Sequence, residues 1–156
     1  MKILVTGFMP FGGETVNPAY EAVRRLPAQI AGADIATVEI PVVYKKGPAA
    51  VEAAIDAEKP DMVLCVGQAG GRAEITPEFV GINYANFRIP DNEGFQPLST
   101  KLEENGPDAY FATLPVQAMV DACKEKGVPA NVSYSAGTYC CNEVLYELLY
   151  ALDHRH

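Results

Sequence analysis

The chain has 156 residues and a formal net charge of −8, with 49% hydrophobic and 21% charged residues. That length suits one domain with its own hydrophobic core, and the composition is that of an ordinary globular protein. The acidic balance, with no Lys/Arg cluster, argues against a nucleic-acid partner or an anionic membrane surface, and the apolar runs are too short to span a bilayer.

The start, "MKILVTGF", is one Lys and a brief apolar stretch ahead of glycine. It reads as a buried strand over 2–6; a signal peptide would need a longer apolar region and a small-residue cleavage site, so a cytoplasmic location is expected. Gly7 and Gly13 have the outer spacing of a phosphate-binding G-x-x-G-x-x-G loop, but Pro10 holds the middle position. Proline donates no backbone N–H, which makes nucleotide binding the weakest reading of this turn. Phe8 and Phe11 could each be core packing; two phenylalanines on a glycine-rich turn at a sheet edge suit the walls of a small flat ligand better. Asn17 offers a helix cap and Pro18 a first turn, with Ala19, Ala22, Val23 and Leu26 following at helical spacing.

A strand is expected over 34–40. A helix with Val51, Ala54 and Ile55 follows and ends near Lys59-Pro60. "DMVLCVG" (61–67) is an apolar strand of the kind buried on both faces. From Gln68 to about Pro107 the chain is rich in Gly, Pro and Asn, and only 78–87 looks extended. Loops of that length inside a compact domain are usually functional. Strand 109–114, a helix with Val116, Met119, Val120 and Cys123 on one face, and strand 130–134 complete the pattern. The last helix begins near Cys141 and carries Val144, Leu145, Leu148, Leu149 and Leu152. Alternating strands and helices predict an α/β fold, with a largely parallel sheet and helices on both faces. Ligands bind such sheets outside the carboxyl ends of the strands, so the loops at 7–17, 67–77 and 135–141 are expected to converge.

The four cysteines, at 65, 123, 140 and 141, form neither a disulfide framework nor a C-x-x-C metal pair. Cys65 and Cys123 read as inert core residues. Cys140 and Cys141 follow a tight Ser135-Ala136-Gly137-Thr138 turn into a helix, where N–H groups and the helix dipole favour a thiolate and can hold an oxyanion. Residue type alone leaves open which of the two it is. Glu78, after a proline and opening an extended segment, is the candidate acid, with Glu74 as its solvated competitor. Arg72 and Arg88 could each be surface charges, and of the two Arg88, between Phe87 and Ile89, is the one expected to be held in place.

Taken together, "TGFMPFGGETVNP", "GQAGGR" with "ITPE", "RIPDNEGFQP" and "SAGTYCCN" resemble the pyroglutamyl peptidase I family, in order and over essentially the whole chain. The resemblance implies a cytosolic cysteine peptidase with an open three-layer α/β/α sandwich around a twisted sheet. It also implies a homotetramer that removes N-terminal pyroglutamyl residues from peptides without cofactor or metal. It makes Cys141 the nucleophile, Glu78 its acidic partner and Arg88 a residue near the oxyanion. Phe8, Phe11, Gln68, Ile89 and Tyr139 match positions that line the pyroglutamate pocket. Two departures stand out: Cys140 replaces an aliphatic residue, and Phe79 replaces a basic one. The substrate chemistry agrees, because a pyroglutamyl ring needs apolar walls and lactam hydrogen bonds, and such a site rejects a charged amino terminus.

Acyl transfer to sulfur also needs a proton acceptor. In the family this is a histidine on a later strand; the histidines here are His154 and His156. In a continuous helix His154 lies thirteen residues past Cys141, ~20 Å along the axis. Both are expected at a frayed end. The domain over 1–156 is therefore expected to lack the family's C-terminal strand and catalytic histidine segment, and to be inactive or impaired as it stands. A catalytically silent pyroglutamyl-binding module and a nucleotide-binding protein are the competing readings.

Overall fold

The computed structural model describes residues 1–155, so the expectation for His156 lies outside them. Contacts divide the chain into two compact units, Met1–Gln68 with Phe87–Gln96, and Ala69–Asn86 with Pro97–His156.

The first unit contains β1 (Lys2–Phe8), α1 (Pro18–Val23), β2 (Gln29–Ile30), β3 (Ala33–Ile40), α2 (Lys46–Glu58) and β4 (Met62–Val66). Its sheet has the order β2-β3-β1-β4, with β3 and β4 parallel to β1 and the short β2 antiparallel to β3. The chain steps from β1 to β3 in one direction and from β3 to β4 in the other. Right-handed crossovers then put α1 and α2 on opposite faces of the sheet, giving the expected helix–sheet–helix layering. Accordingly Leu4 to Phe8 are buried on both faces. Helix α1 lies so close to β1 that a Cβ on Gly7 would come within 2.8 Å of Tyr20 Cα. Asn17 caps α1 as expected, its Oδ1 accepting from Ala19 N at 3.0 Å while its Nδ2 donates to Met9 O at 3.1 Å. Segment 87–96 returns to this unit, where Asp91 accepts hydrogen bonds from the backbone N–H groups of Tyr44, Glu93 and Phe95.

The second unit pairs β5 (Val80–Ile82) antiparallel with β6 (Ala109–Phe111) and carries α3 (Val116–Glu125) and α4 (Cys140–His154). The core residues of α4 include Val144, Tyr146, Leu148 and Leu149, and Tyr146 Oη donates to Pro107 O at 2.7 Å. Gly81 lets α4 lie on β5, since a Cβ there would be 3.0 Å from Tyr146 N.

Several expectations need correction. Helix α1 ends at Val23, leaving Ala22 and Leu26 exposed. Strand β4 is half-buried at the end of its sheet because no described strand pairs with its outer edge. The strand expected over 130–134 is reduced to isolated parallel bridges, Ile75 with Ala130 and Glu78 with Ser133. Leu152 is 41% exposed near the end of α4, and Cys65 and Cys123 are half-buried.

Candidate active site

In the first unit Phe8 is the last residue of β1, buried in the strand, whereas it was expected on the following loop. Phe11 is half-buried ahead of a turn at Gly12 and Gly13, whose φ values of 64° and 84° favour glycine. A Cβ on Gly12 would stand 3.8 Å from Ile89 Cδ1, and Asn92 Nδ2 donates to Pro10 O at 2.9 Å. The Phe8–Phe11 loop and the segment bearing Arg88 and Ile89 are thus held together. Gln68 is exposed just beyond β4. Because β1 and β4 are parallel, Phe8 and Gln68 leave the sheet at the same carboxyl edge. Arg88 is exposed, and among the described residues its guanidinium makes no hydrogen bond or ion pair.

The cation expected to be held in place was Arg88, but Arg72 is the one that is anchored. In the second unit its Nη1 donates to Thr76 Oγ1 at 2.8 Å, Glu78 Oε1 at 3.1 Å and Ser133 Oγ at 3.3 Å, and its Nη2 to Ser135 O at 3.3 Å. This joins the loop at 69–77 to the turn ahead of α4. A guanidinium suits the task because its five N–H donors form a rigid fork. Glu78 Oε2 is buried and accepts no hydrogen bond among the described residues, which leaves one acceptor open beside the ion pair. Glu74 accepts from Asn131 Nδ2 at 2.6 Å in an exposed position, as a solvated residue would. Phe79 stacks on Phe111 at 4.9 Å and meets the Tyr134 ring at 5.7 Å.

The turn into α4 is fixed at both ends. Ser135 Oγ accepts from Gly137 N, and Thr138 exchanges hydrogen bonds with Asn86 through its Oγ1 and its carbonyl. Tyr139, half-buried, is the N-cap, and α4 starts at Cys140. Cys140 is 3% exposed, whereas Cys141 is half-buried. None of the four cysteines is in a disulfide. Burial pushes the Cys65 thiol up to about 11, against a smaller opposing effect of the nearby Thr6 hydroxyl. Asn142, the next residue of α4, is 1% exposed and bonded to β5 by its side chain. The residues that sequence reasoning missed are therefore Arg72 and Asn142. Their signals were an arginine closing a Gly-Gly turn six residues before Glu78, and an amide in the first turn of an otherwise apolar helix face.

His154 stands in the last turn of α4, its Nδ1 2.8 Å from Tyr150 O and its ring 4.2 Å from the Tyr150 ring. It is thus ~20 Å from Cys141 along the axis, far beyond hydrogen-bond reach. Among the described residues no group of three or more His, Cys, Asp or Glu side chains is arranged to hold a metal, and no helix is long and apolar enough to cross a membrane.

The family model described as pyroglutamyl peptidase matches residues 1–156. The chain is 56% identical over 153 residues to pyrrolidone-carboxylate peptidase 1 of Streptococcus pneumoniae serotype 4 (strain ATCC BAA-334 / TIGR4), covering 98% of this chain and 72% of that protein. It is likewise 56% identical over 153 residues to the pyrrolidone-carboxylate peptidase of Lactobacillus johnsonii, covering 98% of this chain and 71% of that one. Among solved structures, pyroglutamyl peptidase I of Bacillus amyloliquefaciens superposes with a TM-score of 0.96 at 48% identity, covering 99% of this chain and 76% of the other. A mutant pyrrolidone carboxyl peptidase (A199P) of P. furiosus gives 0.95 at 38%, covering 99% and 75%.

Proposed function

Because the chain belongs to the pyroglutamyl peptidase family, we propose that it removes N-terminal pyroglutamyl residues from peptides by acyl transfer to Cys141. Cys141 Sγ attacks the carbonyl carbon of the pyroglutamyl residue, and the C–N bond breaks as the leaving amine takes a proton. Water then cleaves the thioester and releases pyroglutamate. The carrying observation is the contrast within one helical turn: Cys140 is sealed at 3% exposure, while Cys141 is half-buried at the amino end of α4. That end stabilises negative charge, on a thiolate and on a developing oxyanion.

Glu78 is the acidic partner that orients the proton acceptor, using the oxygen that Arg72 leaves open. A role for Arg88 near the oxyanion is supported by the family resemblance alone. The family resemblance alone supports a substrate-binding role for Phe8, Phe11, Gln68, Ile89 and Tyr139. Cys141→Ser is expected to reduce coumarin release from a pyroglutamyl-coumarin amide to background, and Cys140→Ser to retain most of it. Equal loss from both would mean that the wrong thiol is assigned.

His154 is too far along α4 from Cys141 to serve as its proton acceptor. Family resemblance supports a cytoplasmic homotetramer, and light scattering coupled to gel filtration tests the assembly. A monomer at micromolar concentration would refute that assembly.

A further inference from the structure

We infer that Asn142 is a positioning residue, setting the rotation of α4 so that Cys141 and not Cys140 is presented for reaction. The inference rests on the assignment of Cys141 as nucleophile. Asn142 Oδ1 accepts from Ile82 N at 2.9 Å, and its Nδ2 donates to Ile82 O at 2.9 Å and to Tyr84 O at 3.1 Å.

Along β5 the backbone groups alternate in direction. Asn83 N donates to Asp108 O on the β6 side, which leaves the N–H and C=O of Ile82 facing the opposite edge. One primary amide meets both of those edge groups, as a neighbouring strand would. It does so at 1% exposure, where a lost partner leaves a buried polar group unsatisfied.

A second contact enforces the same orientation one helical turn later. Gly81 admits the α4 backbone at Tyr146, with Tyr146 N 3.0 Å and Tyr146 Cα 3.2 Å from where a Cβ would be. Asn142 and Tyr146 are four residues apart, so one face of α4 is pinned to β5 at two levels. Successive residues of an α-helix point about 100° apart. With Asn142 fixed on β5, Cys141 points roughly 100° to one side and Cys140 roughly 200° round. The first direction leaves a half-buried thiol and the second a sealed one. The two adjacent thiols differ in accessibility because the helix cannot turn.

The test compares alkylation of the wild type and Asn142→Ala by pyroglutamyl chloromethyl ketone and by iodoacetamide, with peptide mass mapping of the labelled cysteine. The wild type is expected to label at Cys141 and to favour the pyroglutamyl reagent. A folded Asn142→Ala is expected to lose about 10-fold or more of that preference and to take label at Cys140 as well. An unchanged preference and labelling pattern would overturn the proposal whatever the melting temperature, since a purely structural role shifts stability alone. Should Asn142→Ala fail to fold, hydrogen exchange of the wild-type Ile82 amide decides. Strong protection supports the pin, and exchange at the rate of an exposed amide overturns it. Wild type that shows no preference for the pyroglutamyl reagent would count against the proposed function itself. The iodoacetamide pattern and the Ile82 exchange would still decide the role of Asn142.

Discussion

Arg72 shows how one side chain can matter far more for chemistry than for stability. Its bonds to Thr76, Glu78, Ser133 and the Ser135 carbonyl are partly exposed, and exposed ion pairs contribute about 0–1 kcal/mol. Arg72→Ala is therefore expected to shift the melting temperature by a few degrees at most. It also frees the Glu78 carboxylate and the turn that feeds α4, so hydrolysis is expected to fall about 10- to 100-fold, as misplacement of catalytic groups does. Arg72→Lys supplies a single ammonium for a four-way fork and is expected to restore only part of that loss. Steady-state coumarin release beside a thermal melt checks both; equal losses of activity and stability would make Arg72 a structural residue. The anchored state of Arg72 was not legible, because its partners Ser133 and Ser135 lie some sixty residues away and no local spacing announces them. The sequence did show Phe79 where a basic residue is usual. The Phe79 ring stacks on Phe111 and meets Tyr134, and the cation beside Glu78 is Arg72.

Among the elements, those with strong local signals came out as expected. Asn17-Pro18 capped α1, the Lys59-Pro60 boundary ended α2 with Lys59 left-handed at a φ of 47°, and the small-residue turn at 135–138 led into α4. Packing limits can be tested on the first unit. Gly7→Ala would press a methyl to within 2.8 Å of Tyr20 Cα, a backbone atom that cannot swing aside. It is expected to cost about 1–3 kcal/mol in urea unfolding, the usual penalty of overpacking. A neutral result would mean that α1 can shift away from β1. Elements that depend on distant partners were misread. Residues 130–134 have strand composition, but a strand needs a continuous neighbour, and residues 75 and 78 provide only single bridges. Likewise "MVLCV" reads as doubly buried, yet within the described sheet β4 has β1 on one side and no strand on the other. Apolar pattern reports a residue's preference for burial; pairing partners come from elsewhere in the chain.

For the molecule as a whole, two acids share one consequence at alkaline pH, one in each unit. Burial pushes the Cys65 thiol up to about 11 from 9.0. Burial, reinforced by the nearby Tyr110 and Glu147 charges, pushes the Tyr146 phenol up to about 12 from 10.0. In the unfolded chain both lose their protons at ordinary values, so unfolding releases protons above pH 9 while the folded state still holds them. The native state then binds more protons than the unfolded one, and stability falls as pH rises. It is fully present below pH 9. For Cys65 the loss amounts to about 1.4 kcal/mol per pH unit, on the order of 2–3 kcal/mol across pH 9 to 11; Tyr146 adds to the decline above pH 10. A net charge of −8 grows more negative over the same range and destabilises by self-repulsion, but 1 M salt shortens the screening length to about 3 Å and suppresses that part. Urea unfolding in 1 M NaCl is expected to show stability level from pH 7 to 8.5 and declining steeply from 9 to 11. Cys65→Ala is expected to be less stable at pH 7 yet to decline visibly less across that window. Parallel curves for the two proteins would mean that the thiol titrates near its ordinary value and that β4 is wetter than its burial implies.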